Sequence, residues 1–375
     1  MLRSVLNYIN KFRAANRIKK LQLNFFSDGK VNSLNEIKNL EEKRRITRKI
    51  KNFLNNCDLF YENLNINSNL RIGGLWKDYL KKAKKDQLSI YKKGDEDEIL
   101  MFHENMFYNC SIRGLWNYAY YDTVKSDYSS NLLFLKDMEL YKIIFRNFTG
   151  LQSSNKINKW GYRQGDNRFH FLDLSSNLQK NLIINSLNIF NKQDHNVLEI
   201  GGGFGSLGER LFESEKINSY TDFDIPTSLL TTYYYLALKF GDEKVELIDN
   251  IKTMQSKLKP EQKKIYLIPS AFFSEIKNYD NYDLFCNFAS FSEMDLETIK
   301  YYLHNLPKSI KAIVTGNSNL EIKYDDNNKF EEVILDNFPI PREFVLCFSN
   351  VQTPFYSNWR NKTQVWYKKK EIHNN

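Results

Sequence analysis

Cysteine is scarce. The 375 residues hold four, Cys57, Cys110, Cys286 and Cys347, far apart and with no Cys-x-x-Cys pair. A disulfide framework and a zinc cage both need clustered thiols, so neither is suggested. Long apolar runs are also missing. No stretch approaches the ~18 apolar residues that a membrane-spanning helix needs. The first 26 residues carry Arg3, Lys11, Arg13, Arg17, Lys19 and Lys20, with no apolar core of the kind a secretion signal requires. These absences lead to the expectation of a cytoplasmic protein. The five histidines, His103, His170, His195, His304 and His373, form no spaced ligand set, so no metal is expected. Repeats are absent too: Arg71 to Trp76 and Ser111 to Trp116 share Gly-Leu-Trp, but their surroundings do not recur.

What is present is an ordinary globular composition, 42% hydrophobic and 26% charged, which excludes wholesale disorder. The formal charge is +9, and its location matters more than its size. Residues 1–57 hold 14 Lys and Arg against 4 Asp and Glu, a net +10, so the remainder sums to −1. A basic arm on a neutral body argues against a phosphate-tracking groove, and no nucleic-acid partner is expected. Leu2, Val5, Leu6, Ile9, Phe12 and Ile18 recur at helical spacing between the charges of that arm. Such a stripe more commonly packs against its own domain or a second subunit, giving a homo-oligomer; lying on an anionic membrane surface is the other use.

Two textures divide the chain near residue 150. Residues 1–150 alternate charged helical stretches, such as Asn39 to Leu54, with aromatic-rich pieces, and suggest a mainly helical accessory region serving as an oligomerisation surface or lid. Residues 150–168, rich in Asn, Ser, Gly and Arg, suggest a connector. Beyond it, apolar runs alternate with amphipathic helices, the signal of parallel strands with helical crossovers. Strands are predicted at Val197–Ile200, Ser219–Asp224, Ile265–Ile268, Tyr282–Phe288 and Lys311–Thr315, with one helix opened by Pro226 and stopped by Gly241 and another opening at Ser292. Glu332–Leu335, Phe344–Ser349 and Gln364–Tyr367 suggest an antiparallel edge. The expected fold class is α/β, a Rossmann-like sheet over residues 151–375.

The most informative segment runs from Val197 to Gly208, Val-Leu-Glu-Ile-Gly-Gly-Gly-Phe-Gly-Ser-Leu-Gly. Glycines directly after a buried strand and before a helix make a backbone gap of ligand size. Two registers compete. Gly203-x-Gly205-x-x-Gly208 is the dinucleotide fingerprint, whereas Glu199-x-Gly201-x-Gly203-x-Gly205 is the acidic form suited to S-adenosylmethionine. The first register would bury Gly201 and Gly202 inside the strand and set a carboxylate near a pyrophosphate, so the second is favoured. There Glu199 can neutralise a cationic methionyl amino group, and Gly201, Gly203 and Gly205 pass under the ligand. Asp224, 19 residues past Gly205, suits the ribose hydroxyls. Ser270, Ala271 and Asn287 stand at the carboxyl ends of later strands, where adenine and methionine would lie.

Glu199 to Gly205, then Asp224-Ile225-Pro226 followed by Tyr233-Tyr234-Tyr235-Leu236, then Asn287 to Ser290 and Phe291-Ser292-Glu293-Met294, resemble the sugar O-methyltransferases of bacterial surface-polysaccharide gene clusters. The resemblance spans about residues 150 to 370. It departs mildly at Ile225, where family members commonly carry Leu. It implies a class I methyltransferase fold, S-adenosylmethionine as cofactor with S-adenosylhomocysteine as product, and a sugar, sugar-nucleotide or polysaccharide acceptor.

Methyl transfer to a hydroxyl needs in-line alignment and a group to take the proton. Glu293, just past the fourth strand, is the first candidate, and its competing reading is an acid in a helix first turn under a Ser292-x-x-Asp295 capping box. His170 is the alternative base and His103 a further one, while Pro354 to Arg360 could form an aromatic sugar platform. A nicotinamide-dependent oxidoreductase and a non-catalytic binding protein that kept the fold are the competing functions.

Overall fold

The computed structural model describes residues 2–57, 85–108, 156–318, 333–351 and 361–372, with Leu135, Lys136, Met138, Glu139, Tyr141 to Ile143, Arg146 and Leu151 between them. The Gly-Leu-Trp segments, Cys110, Glu332, the Pro354–Arg360 loop and His373 lie outside the described residues.

The first part is built from α1 (Leu2–Leu21), β1 (Asn24–Ser27), α2 (Leu40–Asn56), α3 (Lys85–Lys93) and α4 (Glu96–Glu104). Helix α2 forms because Ile46, Ile50, Phe53 and Leu54 fall on one face, and all four are buried. Then come β2 (Trp160–Gln164), β3 (Asn167–Phe169), α5 (Phe171–Leu187), β4 (His195–Ile200), α6 (Ser206–Phe212), β5 (Ile217–Asp224) and α7 (Pro226–Phe240). They are followed by β6 (Val245–Leu247), α8 (Ile251–Lys257), β7 (Lys264–Pro269), β8 (Leu284–Phe288), α9 (Leu296–His304), β9 (Ala312–Ser318), β10 (Phe344–Val351), β11 (Asn361–Lys368) and α10 (Lys369–Ile372).

The main sheet runs β6-β7-β5-β4-β8-β9-β11-β10. Strands β6 to β9 pair in parallel, while β11 and β10 add an antiparallel edge. Outward from β4 the core order is the doubly wound one, whose ligand crevice opens at the carboxyl ends of the two strands that diverge, here β4 and β8. Both faces of the central strands are covered, so nearly every residue in them is buried, the polar Glu199, Asp222, Asn287 and Asn317 included. One face (Val197, Tyr220, Ile265, Leu284, Val314) shares a core with Ile46, Ile50 and Phe53 of α2. The other (Leu198, Phe223, Ile268, Phe285, Ile313) packs on Phe273, Phe291 and Tyr302. The α/β Rossmann-like class expected from the sequence is the fold observed.

Several elements depart from expectation. Strands β2 and β3 replace the connector, because Trp160, Tyr162 and Phe169 are buried among its polar residues. β1 pairs with β2, so a second sheet joins the segments on either side of residue 150. Strand β6 is only three residues long and half covered, too short for a periodic signal. The run ending at Leu335 is not a strand: Leu335–Asn337 is a 3-10 turn, and its Asp336 accepts hydrogen bonds from Lys362 and Gln364 of β11. Helix α9 opens at Leu296 with Asp295 as its cap, accepting from the Thr298 amide at 2.7 Å, and not at Ser292.

Polar anchors hold α2 and α4 against α7. Lys43 and Glu104 form a buried ion pair at 2.6 Å, and the Tyr234 hydroxyl donates to the same carboxylate at 2.6 Å. Removing one partner would strand the other charge, at a cost of about 3 to 5 kcal/mol.

Candidate active site

Strand β4 ends at Ile200 and the chain turns at once, with Gly201, Gly203 and Gly205 at φ of +74°, +61° and +86°. Gly201 and Gly202 therefore belong to the turn, which is the acidic register and not the dinucleotide one. The glycines have different reasons to be there. A Cβ at Gly202 would lie 2.7 Å from the Asp222 carboxylate, one at Gly205 would lie 2.7 Å from the Thr232 methyl, and those at Gly201 and Gly208 would strike Ser290 and Tyr220. At Gly203 a Cβ meets nothing within 4 Å. Of the turn's glycines, Gly203 alone faces open space, the cradle a ligand can fill.

Carboxylates crowd this turn. Glu199 stands in register between Asp222 of β5 and Cys286 of β8. It is 2% exposed and accepts a short hydrogen bond from the Tyr220 hydroxyl. Burial pushes the Glu199 carboxyl up to about 8, with the Asp224 charge adding and the Tyr220 bond opposing. Asp222 is also driven up, by burial first and then by the Asp224 and Glu199 charges. Its Oδ1 accepts the Gly202 amide at 2.9 Å, while its buried Oδ2 has no hydrogen-bond partner. Asp224 accepts the Gly203 amide at 2.9 Å and is partly exposed. With Glu199 and Asp222 driven toward the neutral form by burial, the partly exposed Asp224 is the acid of this turn placed to meet a ligand, and its oxygens suit one that carries hydroxyls. Glu199 accepts from Tyr220 through Oε2, beneath the glycine turn.

Two further predicted residues stand next to Asp224, which pairs in register with Pro269. Ser270, buried, and Ala271, partly exposed, begin the turn that follows. Asn287 is placed differently from expectation. Fully buried, it donates to the Ile200 carbonyl at 2.7 Å and accepts from the Phe291 amide and from Asn317 Nδ2. Its amide clamps β4 to the turn after β8 and does not present itself to a ligand. Asn317 Oδ1 accepts the Ser292 amide at 3.2 Å, and Ser290 Oγ donates to Ile200 O at 3.0 Å. This network fixes the 3-10 turn Phe291–Glu293, which places Glu293, partly exposed, two residues before the α9 cap. Glu293 is thus outside the helix first turn, and the capping-box reading falls.

The histidines separate cleanly. His170 caps α5, accepting from the Leu172 amide while its own amide donates to Asp173 at 2.6 Å. Burial lowers it to about 3, which makes it a weak proton acceptor. His103, stacked on Tyr234 at 4.8 Å, is likewise lowered by burial to about 3. His195 lies buried near Asp283 at the opposite end of β4, and His304 is exposed late in α9. His170 nevertheless connects the two parts of the chain: its ring packs on Phe107 at 5.2 Å, and Phe107 packs at 5.1 Å on Phe204 of the glycine turn. The sequence reading missed Tyr220, Asp222, Asn317 and Phe107, and held Ser290 only as part of the Asn287 to Ser290 motif. Of these, only Asp222, two residues before Asp224 on one strand face, left a signal that alternation could have found.

No family model and no curated protein matches the chain. Among solved structures, it is similar to the methyltransferase domain of a bacterial Hen1, at 15% identity over 50% of this chain and 97% of that one, TM-score 0.31. It is also similar to magnesium protoporphyrin IX methyltransferase from Synechocystis PCC 6803 with S-adenosylmethionine bound, at 11% identity over 54% and 86%, TM-score 0.32. A third likeness is to mitomycin 7-O-methyltransferase, at 10% identity over 52% and 57%, TM-score 0.32.

Proposed function

We propose that this chain is an S-adenosylmethionine-dependent methyltransferase that methylates a sugar hydroxyl in the synthesis of a surface polysaccharide of capsule or lipopolysaccharide type. The observation that carries the methyltransferase reading is the turn after β4, in which Gly203 alone faces open space while Asp224 stands beside it at the crevice of the sheet. Gly203 would lie under the cofactor, Asp224 would accept from its ribose hydroxyls, and Ser270 and Ala271 would flank its base. Bound there, the sulfonium supplies an electrophilic methyl. The sugar reading is supported by the motif resemblance through Asp-Ile-Pro and Ser-Glu-Met.

Glu293 is the residue we assign to the acceptor. It follows β8, the strand beside β4, on a turn braced by Asn287 and Asn317. Its carboxylate takes the hydroxyl proton, or orients the hydroxyl, while the new C–O bond forms and the C–S bond breaks. Calorimetry should show binding of S-adenosylhomocysteine and none of NAD. With labelled S-adenosylmethionine the label should enter saccharide. Glu293→Gln should keep S-adenosylhomocysteine affinity and lower turnover by roughly 10² to 10⁴. A fall of less than about fivefold removes Glu293 from the chemistry. NAD binding in place of S-adenosylhomocysteine would overturn the whole assignment.

A further inference from the structure

Helix α1 has two faces, and the one that packs inward takes, among the described side chains, only Ile18 from the stripe that the sequence periodicity singles out. With successive residues turned by ~100°, Ala14, Ile18 and Leu21 share one side, where Ala14 and Leu21 are 2% exposed. Ile9 and Phe12 stand on the other side, 39% and 64% exposed. Arg13, Asn16 and Lys19 share this outward side and are exposed. The helix contains no acidic residue, and Arg17 and Lys20 reach Glu139 of the body, which fixes the rotation of the helix.

We infer that the outward face of α1 docks on an anionic lipid surface. An apolar row flanked by Lys and Arg is the arrangement of helices that lie in the headgroup plane, with apolar side chains entering the acyl boundary and cations meeting lipid phosphates. Charge decides among the occupants. A second copy brought across a two-fold axis would set Arg13 and Lys19 against themselves, within an arm of net +10. A nucleic acid would satisfy the cations but offer Ile9 and Phe12 nothing apolar to enter. Of these three occupants, the lipid surface is the one that uses both halves of the face. The inference is independent of the methyl acceptor.

The test is co-sedimentation of the full chain with vesicles of phosphatidylcholine alone or mixed with phosphatidylglycerol. Binding should require phosphatidylglycerol and weaken with salt. Phe12→Asp should reduce it by roughly tenfold or more, since the side chain no longer enters the apolar layer. Joint Arg13→Glu and Lys19→Glu should cost at least about fivefold for each position. Both variants change exposed positions, and unchanged circular dichroism and S-adenosylhomocysteine affinity identify folded protein. The inference is overturned if wild-type protein ignores phosphatidylglycerol vesicles, or if Phe12→Asp binds them as well as wild type. It is equally overturned if Phe12→Asp merely converts a dimer to a monomer, or if an RNA oligonucleotide is held through Arg13 and Lys19 with no need of Phe12.

Discussion

Glu199→Gln should leave the protein little changed in acid and make it more stable near pH 8. The carboxyl is fully buried, lies in register with Asp222 and accepts from Tyr220, and burial lifts it from 4.5 to about 8. The folded state therefore holds its proton more tightly than the unfolded chain does. Stability from this group is complete below about pH 4.5, falls as pH rises between the two values, and levels off above about 8. At ~1.4 kcal/mol per unit, the ceiling of that loss is about 5 kcal/mol. The actual loss is smaller to the extent that Asp222 shares the proton. Gln mimics the protonated acid and cannot ionise, so the variant escapes the loss. Urea unfolding of both proteins at pH 5 and pH 8 reads the effect, because titrating groups that do not interact with Glu199 cancel in the difference and only the Glu199–Asp222 pair remains. The variant's advantage should grow by several kcal/mol from the lower to the higher pH. A gap constant to within ~0.5 kcal/mol would mean that Glu199 is ionised throughout, and the acid pair beneath the turn would have to be redrawn.

Gly203→Val should abolish S-adenosylhomocysteine binding by filling the one open cradle of the turn, and at φ of +61° it should also cost ~1 to 2 kcal/mol in stability. Folded Gly203→Val protein that binds normally in calorimetry removes the turn from the ligand site. Asn317→Leu strands the Ser292 amide and loosens Asn287, so unfolding should cost about 1 to 3 kcal/mol less. Because the clamp carries the Glu293 turn, turnover should fall further than S-adenosylhomocysteine affinity, and equal losses would reduce Asn317 to a general packing role.

The sheet was readable because its signals are local. Val197–Ile200 and Ile265–Ile268 are largely apolar runs bounded by polar punctuation, Ser219–Asp224 carries aromatic and β-branched residues between polar ones, and the observed strands extend each by only a residue or two at its ends. Pro226 and Gly241 mark the α7 helix by covalent constraints that tertiary packing does not override. The hairpin β2-β3 escaped notice because its polar residues resemble a loop until Trp160 and Tyr162 find a core contributed by residues far away in sequence. Asp295, not Ser292, caps α9 because the Asn317 contact holds the Ser292 amide in the preceding turn, a preference that only the neighbouring strand can impose.

The same distinction runs through the site. Glycine spacing identifies a turn but does not say which glycine faces a ligand, since that depends on what the missing side chain would have met. Ser290, Asp222, Thr232 and Tyr220 occupy the directions of the neighbouring glycines, and those partners come from β5, α7 and the segment after β8. Within this turn a glycine hemmed in by protein serves the packing, whereas Gly203, which faces space, leaves room for a ligand, although both spell the same letter in the motif. Asn287 carries the same ambiguity: its place at a strand end suggested a ligand contact, and its side chain is consumed in holding the turn that presents Glu293. Position along a strand can thus be read from one sequence. Whether a polar group there serves the ligand or the scaffold is decided by how many of its hydrogen bonds the fold has already used.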